Sequence, residues 1–279
     1  MAFLWIALIG SDVPKQDLHL YHGAISTASQ RVRLLLAELD LPYTSHLVDM
    51  LKQEHIDDTY LAINPKGLLP ALGDDCNVVV ESNEILVYLD DTYGGKRFQP
   101  MTAERLNAQQ TLMTLATDLH GYSKYLYYEF LFKPLVRKTE QQMQEFEKQQ
   151  KDKKLVAFHK TLSEQGGYDD EQLLSAFRSV EVILDVVENQ LEADKYLLGG
   201  DVQLADLSLF PNIHRLQLMG YPLQQRKRIR RWLKLMKKRA SYRTAILKFE
   251  PIKLQVFCVS YRLFRQVRGD SISRLAALA

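Results

Sequence analysis

Strand-like patterning stops between Gly94 and Met101 and does not return, and this one change restricts the chain to a small α/β unit followed by an all-helical one. Before the break, a short strand at Leu18–Tyr21 runs through a loop into a helix whose Val32, Leu35, Leu36 and Leu39 share a face. Tyr43–Val48 reads as a second strand, followed by a polar, irregular segment through Tyr60. In INPKGLLPAL, residues 63–72, Pro70 stands just before a further strand, where its missing N–H is tolerated. Gly73-Asp74-Asp75 then turns the chain into a strand at Asn77–Val80. Glu81-Ser82-Asn83 opens a helix carrying Ile85, Leu86 and Leu89 on one side. The order is βαβ, then ββα.

After Thr102 long helical periodicity takes over, beginning with Leu106, Leu112, Leu115 and Leu119 and resuming over Glu171–Leu191, Leu204–Met219 and Gln225–Ala240. The domains expected are therefore 18–94 (α/β), 102–249 (all-α) and a basic amphipathic extension, 250–279. Within the second, residues 137–170 are rich in Lys, Glu, Gln and Asp up to the Gly166-Gly167 break, and read as an insertion or a long solvated helical extension. Ile252 to Gly269 mixes Val256, Phe257, Val259, Leu263, Phe264 and Val267 with Lys253, Arg262, Arg265 and Arg268. It is too interrupted to span a membrane, and two uses stay open: packing back on the domain, or lying on a membrane surface or partner. The run Arg226–Arg243, ten Lys or Arg in eighteen positions, reads as a solvated face with anionic lipid as the sharper alternative.

A net charge of +2 over 279 residues signals no bulk attraction to nucleic acid. The two cysteines, Cys76 and Cys258, stand in no metal-binding or disulfide spacing, so no metal and a reducing, cytoplasmic compartment are expected. Residues 1–16 read as an extension or an early start rather than an export signal.

Ser26, Thr27 and Ser29 cluster where the first helix begins. A helix start presents unpaired N–H groups and a partial positive charge, and so favours an anion. The same residues also fit an internal use, because Thr27-x-x-Gln30 has the spacing of a capping box.

LYHGAISTASQRVRLLLAE, NPKGLLPAL, VVVESNEILVYLDD and LADLSLFP, in this order, resemble the cytosolic glutathione transferase superfamily from Leu18 to about Phe249. YHGAISTASQRVRLLL is similar to its tetrachlorohydroquinone dehalogenase-like class, and the insertion is similar to that of the ganglioside-induced differentiation-associated proteins. The resemblance implies a thioredoxin-like, glutathione-binding domain and an all-helical domain that supplies the second substrate's pocket. It implies a cis Leu69–Pro70 bond that turns the Leu69 backbone toward the cysteinyl part of glutathione. Glu81 and Ser82 would hold the γ-glutamyl end, and Lys66, with His55 as a lesser candidate, the glycyl carboxylate. Ser26 falls at the thiolate-donor position, with Thr27 and Ser29 as runners-up, and Thr27 and Gln30 would then close the helix. Tyr21 is structural on this reading.

A thiol of pKa about 8.5 is mostly protonated at neutral pH. Each unit of depression takes roughly 1.4 kcal/mol, and a hydrogen bond to a charged group supplies about 1.5–3. One hydroxyl and one helix end therefore suffice. Of the aromatic cluster Tyr122, Tyr125, Tyr127, Tyr128, Phe130 and Phe132, most are expected in the core, with Tyr122 or Tyr125 lining the second pocket. Asp206 matches a buried helix-capping Asp, with Gln203 where the family has Thr or Ser. The function implied is thiolate attack on a hydrophobic electrophile, halogenated ones included, by a homodimer without nucleic-acid partners. The alternative is a weakly catalytic or non-catalytic binding or membrane-associated module, which residues 137–170 and 250–279 would serve.

Overall fold

The computed structural model describes residues 17–150, 152–164, 167–192, 194–250 and 252–279; the extension 1–16 and Gly166 of the Gly-Gly break lie outside them. β1 (Leu18–His22) leads through a tight loop into α1 (Thr27–Glu38) and back to β2 (Thr44–Leu47), which pairs parallel with β1. A 3-10 turn (Glu54–Ile56) and α2 (Asp58–Leu61) connect to β3 (Ala71–Asp74) and β4 (Asn77–Val80), both antiparallel to their neighbours. The strand order is β2-β1-β3-β4, and α3 (Ser82–Thr92) follows. Alternation in β1 sends Leu18 and Leu20 into the core, where they meet Val32, Leu35, Leu36, Leu72, Ile85, Leu86 and Leu89. The result is the small α/β unit the alternation implied, with the thioredoxin-like form that the resemblance implied.

The helical domain begins with α4 (Ala103–Tyr127), which passes through a π-helical turn (Tyr128–Phe132) into α5 (Lys133–Val136). α6 (Glu140–Gln149), α7 (Lys153–Ser163), α8 (Asp170–Gln190), α9 (Leu204–Met219), α10 (Lys227–Lys237), α11 (Ala240–Ala245), α12 (Ile252–Val267) and α13 (Ser273–Leu278) complete it. α9 is buried nearly all round, its polar Asp206, Ser208, Asn212, His214 and Arg215 included, and packs between α4 and α1. Its start is fixed by Asp206, whose carboxylate accepts from Gln203 N (3.0 Å), Leu197 N (3.1 Å) and Trp232 Nε1 (2.7 Å). Gln203 adds no side-chain cap, so the altered box is half a box.

One of the two readings of residues 137–170 needs correction. The segment 137–170 is not a solvated extension: Thr139 and Asp152 cap two helices, α6 and α7, that bury Met143, Phe146, Phe158 and Leu162. Phe146 and Met143 pack against Ile56 of the α/β domain, so sparse apolar residues at helical spacing were enough to seat the insertion. The basic run keeps the solvated face expected of it, with Lys227, Arg230, Arg231, Lys234, Lys238 and Arg243 exposed, while three of its members are paired. Arg226 pairs with Glu181 and Asp185 (both 2.7 Å), Arg228 with Glu192 (2.7 Å), and Arg239 with Glu38 of α1 (2.6 Å). Of these partners Glu181 and Asp185 belong to α8, and they neutralise Arg226 alone.

Candidate active site

The loop between β1 and α1 is held by its carbonyls. Arg33 donates to Gly23 O (3.0 Å) and Ala24 O (2.8 Å), and Arg215 of α9 donates to Ile25 O (2.8 Å). Arg33 also reaches Ala245 O and His22 Nδ1, and its guanidinium lies over the Phe249 ring. With Nδ1 accepting from Arg33, the His22 Nε2–H donates to Ser45 Oγ (2.7 Å). Burial first, then the Arg33 charge, pushes His22 down to about 3, so the ring is neutral. Three consecutive carbonyls are thereby drawn into the protein just before Ser26.

Ser26, not Thr27, caps α1: its Oγ accepts from Ser29 N (3.2 Å), while Ser29 Oγ accepts from Gly23 N (3.2 Å). Thr27 lies inside the helix and hydrogen-bonds His120 Nδ1 of α4 (3.0 Å), and Gln30 Nε2 donates to Glu250 Oε1 (2.8 Å). The expected Thr27/Gln30 capping box is therefore absent, because both side chains are taken by the helical domain. The cap occupies a lone pair of Ser26 and leaves its O–H free to donate.

Leu69–Pro70 is cis, as the family pattern implied. The Leu69 amide and carbonyl take no backbone hydrogen bond among the described residues, whereas Leu68 O is saturated by Tyr60 Oη and Asn64 Nδ2. Gly23 explains how the two segments meet. A Cβ there would stand 3.0 Å from Met50 Sδ, 3.2 Å from Ser26 Cβ and 3.5 Å from Leu69 Cδ1. A methyl there would press on Met50 and Ser26 and touch Leu69, so the hydroxyl loop and the cis-proline loop approach closely at Gly23.

Glu81 precedes α3 with φ +66°, a strained conformation for a residue with a side chain, and it presents Ser82 as the first helical residue. Ser82 is buried and accepts from Arg31 Nη1 (3.2 Å). Arg31 is itself 3% exposed, donates to Ala116 O and leaves Nε without a partner among the described residues. Burial lowers it to about 10, so it stays charged. Ser26 and Arg31 are five residues apart on one helix, about 7.5 Å along its axis. One helix thus carries a hydroxyl at its start and a buried cation beside Ser82.

Lys66 and Glu81 are exposed and paired with each other at 2.7 Å. The structure thus puts both on one spot rather than at opposite ends of a site, and a pair this exposed is worth about 0–1 kcal/mol and opens readily. His55, with Nδ1 unpartnered among the described residues, is kept neutral by burial and by Lys138 of the insertion. A cavity of about 310 Å³ beside Lys66 is lined by Ile56, Leu61, Pro65 and Leu68 on one wall and Gln149 and Gln150 of the insertion on the other. Tyr122 is exposed, and Tyr125 packs edge-on against Phe158 (5.4 Å) and Tyr168 (5.1 Å). The insertion therefore covers Tyr125.

Sequence reading missed Arg31, Arg33, Arg215, Lys138 and Glu250. A signal was present for the first two: RVR runs straight into LLLA on a helix with no acidic residue until Glu38 to hold it in solvent.

The chain belongs to the glutathione transferase superfamily, and its thioredoxin-like layer and helical domain have that family's order. Residues 20–97 match the glutathione S-transferase N-terminal domain model and 170–235 the C-terminal domain model, together more than half of the chain. It is similar to glutathione S-transferase TCHQD of Arabidopsis thaliana, 28% identical over 250 residues, 82% of this chain and 89% of that one. The β-etherase LigF of Sphingobium sp. strain SYK-6 superposes with a TM-score of 0.76 at 24% identity, covering 83% of this chain and 99% of that one. A theta class glutathione S-transferase of Xanthomonas axonopodis pv. citri, solved with glutathione bound, superposes at 0.65 and 19% identity, covering 83% and 98%.

Proposed function

We propose that the protein binds glutathione along the edge between α1, the cis-proline loop and α3, and uses Ser26 to stabilise its thiolate for attack on an electrophilic carbon. The observation that carries this reading is the state of Ser26: its oxygen is fixed by the Ser29 amide, its O–H has no acceptor among the described residues, and the helix start lies behind it. A hydrogen bond accepted from an amide polarises the O–H toward a second acceptor. Leu69, whose amide and carbonyl take no backbone hydrogen bond among the described residues, offers both to the cysteinyl backbone, beside Pro70. Ser82 and the buried Arg31 charge receive the γ-glutamyl carboxylate, and Glu81 takes its ammonium once Lys66 swings away. Lys66, freed in that exchange, is available to the glycyl carboxylate, with His55 and Lys138 beyond it.

The electrophile is a hydrophobic small molecule. Among candidate reactions is displacement of halide, in which the C–S bond forms, the carbon–halogen bond breaks and the halide leaves with the electron pair. Tyr122 and Tyr125 belong to the second-substrate wall on this reading, with Phe158 and Tyr168 of the insertion narrowing it. The working form is taken as a cytoplasmic homodimer. A binding or membrane-associated role for the carboxy-terminal helix rests on separate residues and does not require the catalytic site to fail.

The test is retention of the full chain on immobilised glutathione followed by turnover of a chromogenic aryl halide. Retention and turnover are expected; absence of both would sink the reading.

A further inference from the structure

Helix α12 presents apolar side chains on two opposite faces. One face packs on the domain through Cys258 and through Arg265, which is buried and donates to Glu129 O of the π turn (2.9 Å). On the other, Ile252, Val256, Val259, Leu263 and Val267 recur every three or four residues and so fall in a single stripe. They are 78%, 59%, 44%, 51% and 90% exposed. The stripe runs about 22 Å along the helix. Its continuity sets it apart from scattered surface aliphatics, which need no explanation.

Charge and shape indicate what covers it. From Ile252 onward the chain holds five cations, Lys253, Arg262, Arg265, Arg268 and Arg274, against one acid, Asp270, which Arg265 and Arg268 already engage. A cavity of about 320 Å³ opens beside the stripe, with Arg230, Arg262, Gln266, Ser271, Ser273 and Gln224 in its lining and no carboxylate there. Arg262 and Gln266 follow Val259 and Leu263 by three residues, which puts them on the stripe's border. Arg262 lies across Gly220, the left-handed end of α9 (φ +86°), where a Cβ would come 2.6 Å from Arg262 Cδ. It has no ion pair among the described residues, and Arg230 reaches only the Gln224 carbonyl, at 3.5 Å. Two unclaimed guanidinium groups, amides and hydroxyls without an acid make a phosphate-accepting pocket.

We propose that α12 lies in the surface of an anionic bilayer, with its stripe in the headgroup–acyl boundary and a phospholipid phosphate held between Arg230 and Arg262. No described helix is long and apolar enough to cross a membrane, so the contact is peripheral. A second copy is a poorer occupant, since packing this face on itself sets like charges together with no acid on the stripe or in the pocket.

The experiment is co-sedimentation of the full chain with vesicles of phosphatidylcholine alone or mixed with phosphatidylserine. Binding to the mixed vesicles, weakened by salt and lost on phosphatidylcholine alone, is expected. Val256→Asp with Leu263→Asp should abolish it. Arg230→Gln with Arg262→Gln should weaken it by about thirtyfold, from roughly fivefold per basic residue at such a surface. Circular dichroism and glutathione retention equal to the parent's establish that both variants are folded. No binding to either vesicle, equal binding to both, or full binding by Val256→Asp/Leu263→Asp would overturn the proposal. So would a parent that ignores vesicles and forms a dimer which that variant dissociates.

Discussion

Replacing Arg33 by Lys tests how the Ser26 loop is held. Arg33 is 1% exposed and satisfies four buried acceptors, Gly23 O, Ala24 O, Ala245 O and His22 Nδ1, at 2.7–3.0 Å. A Lys ammonium keeps the charge but is a compact point on an unbranched stem, and cannot meet acceptors arranged around a planar fork. If it serves two of the four, two buried acceptors lose their donors at about 1–3 kcal/mol each, a total of about 2–6. That is a large share of the 5–15 kcal/mol typical of a folded protein. Urea unfolding followed by fluorescence of the buried Trp232 should show the midpoint falling accordingly, with glutathione affinity falling as the loop loosens. An Arg33→Lys protein within about 0.5 kcal/mol of the parent, the scale of an ordinary surface substitution, would refute the claim that this guanidinium organises the loop.

Arg31→Met should leave Ser82 in place but remove the cation beside it, so glutathione affinity by calorimetry should drop about tenfold or more, consistent with a lost charged hydrogen bond of about 1.5–3 kcal/mol. Asp206→Ala strands the Trp232 indole N–H and two backbone amides, and should cost about 3 kcal/mol or more in thermal or urea unfolding. Stability should also fall in mild acid. His22, His120 and His159 are lowered to about 3, 4 and 4, so the neutral forms stabilise the fold fully above pH 6.5 and each loses up to about 1.4 kcal/mol per pH unit below it. Asp206, raised to about 6 by burial, opposes them from there down to 3.8, so a net fall from pH 6 to 5 is expected; a flat profile by urea titration would contradict it.

The fold was legible because its periodicities are clean: α9 runs Leu204–Met219 as read, and β4 is Asn77–Val80. The cis bond at Pro70 and the Glu81-Ser82 corner were legible through the family resemblance, since the residues alone gave only a Pro before a strand and a Ser at a helix start. What escaped were side chains whose partners lie far along the chain. Thr27 and Gln30 had the spacing of a cap, yet His120 and Glu250, 93 and 220 residues away, claim them. The same holds for Arg226 and Arg239 of the basic run, whose counter-charges are Glu181, Asp185 and Glu38, and for the insertion, where Met143, Phe146 and Phe158 were too few to suggest burial until Ile56 and Tyr125 supplied the opposing surface.

The proton on Ser26 is the centre of the catalytic reading, and the ultraviolet absorbance of the thiolate in bound glutathione, titrated with pH, measures it. The parent should hold the thiol at least one pKa unit below that of free glutathione. Ser26→Ala, with glutathione still bound, should raise it by about 1–2 units, the equivalent of the 1.5–3 kcal/mol of one charged hydrogen bond. The same apparent pKa in both proteins would contradict the assignment of Ser26.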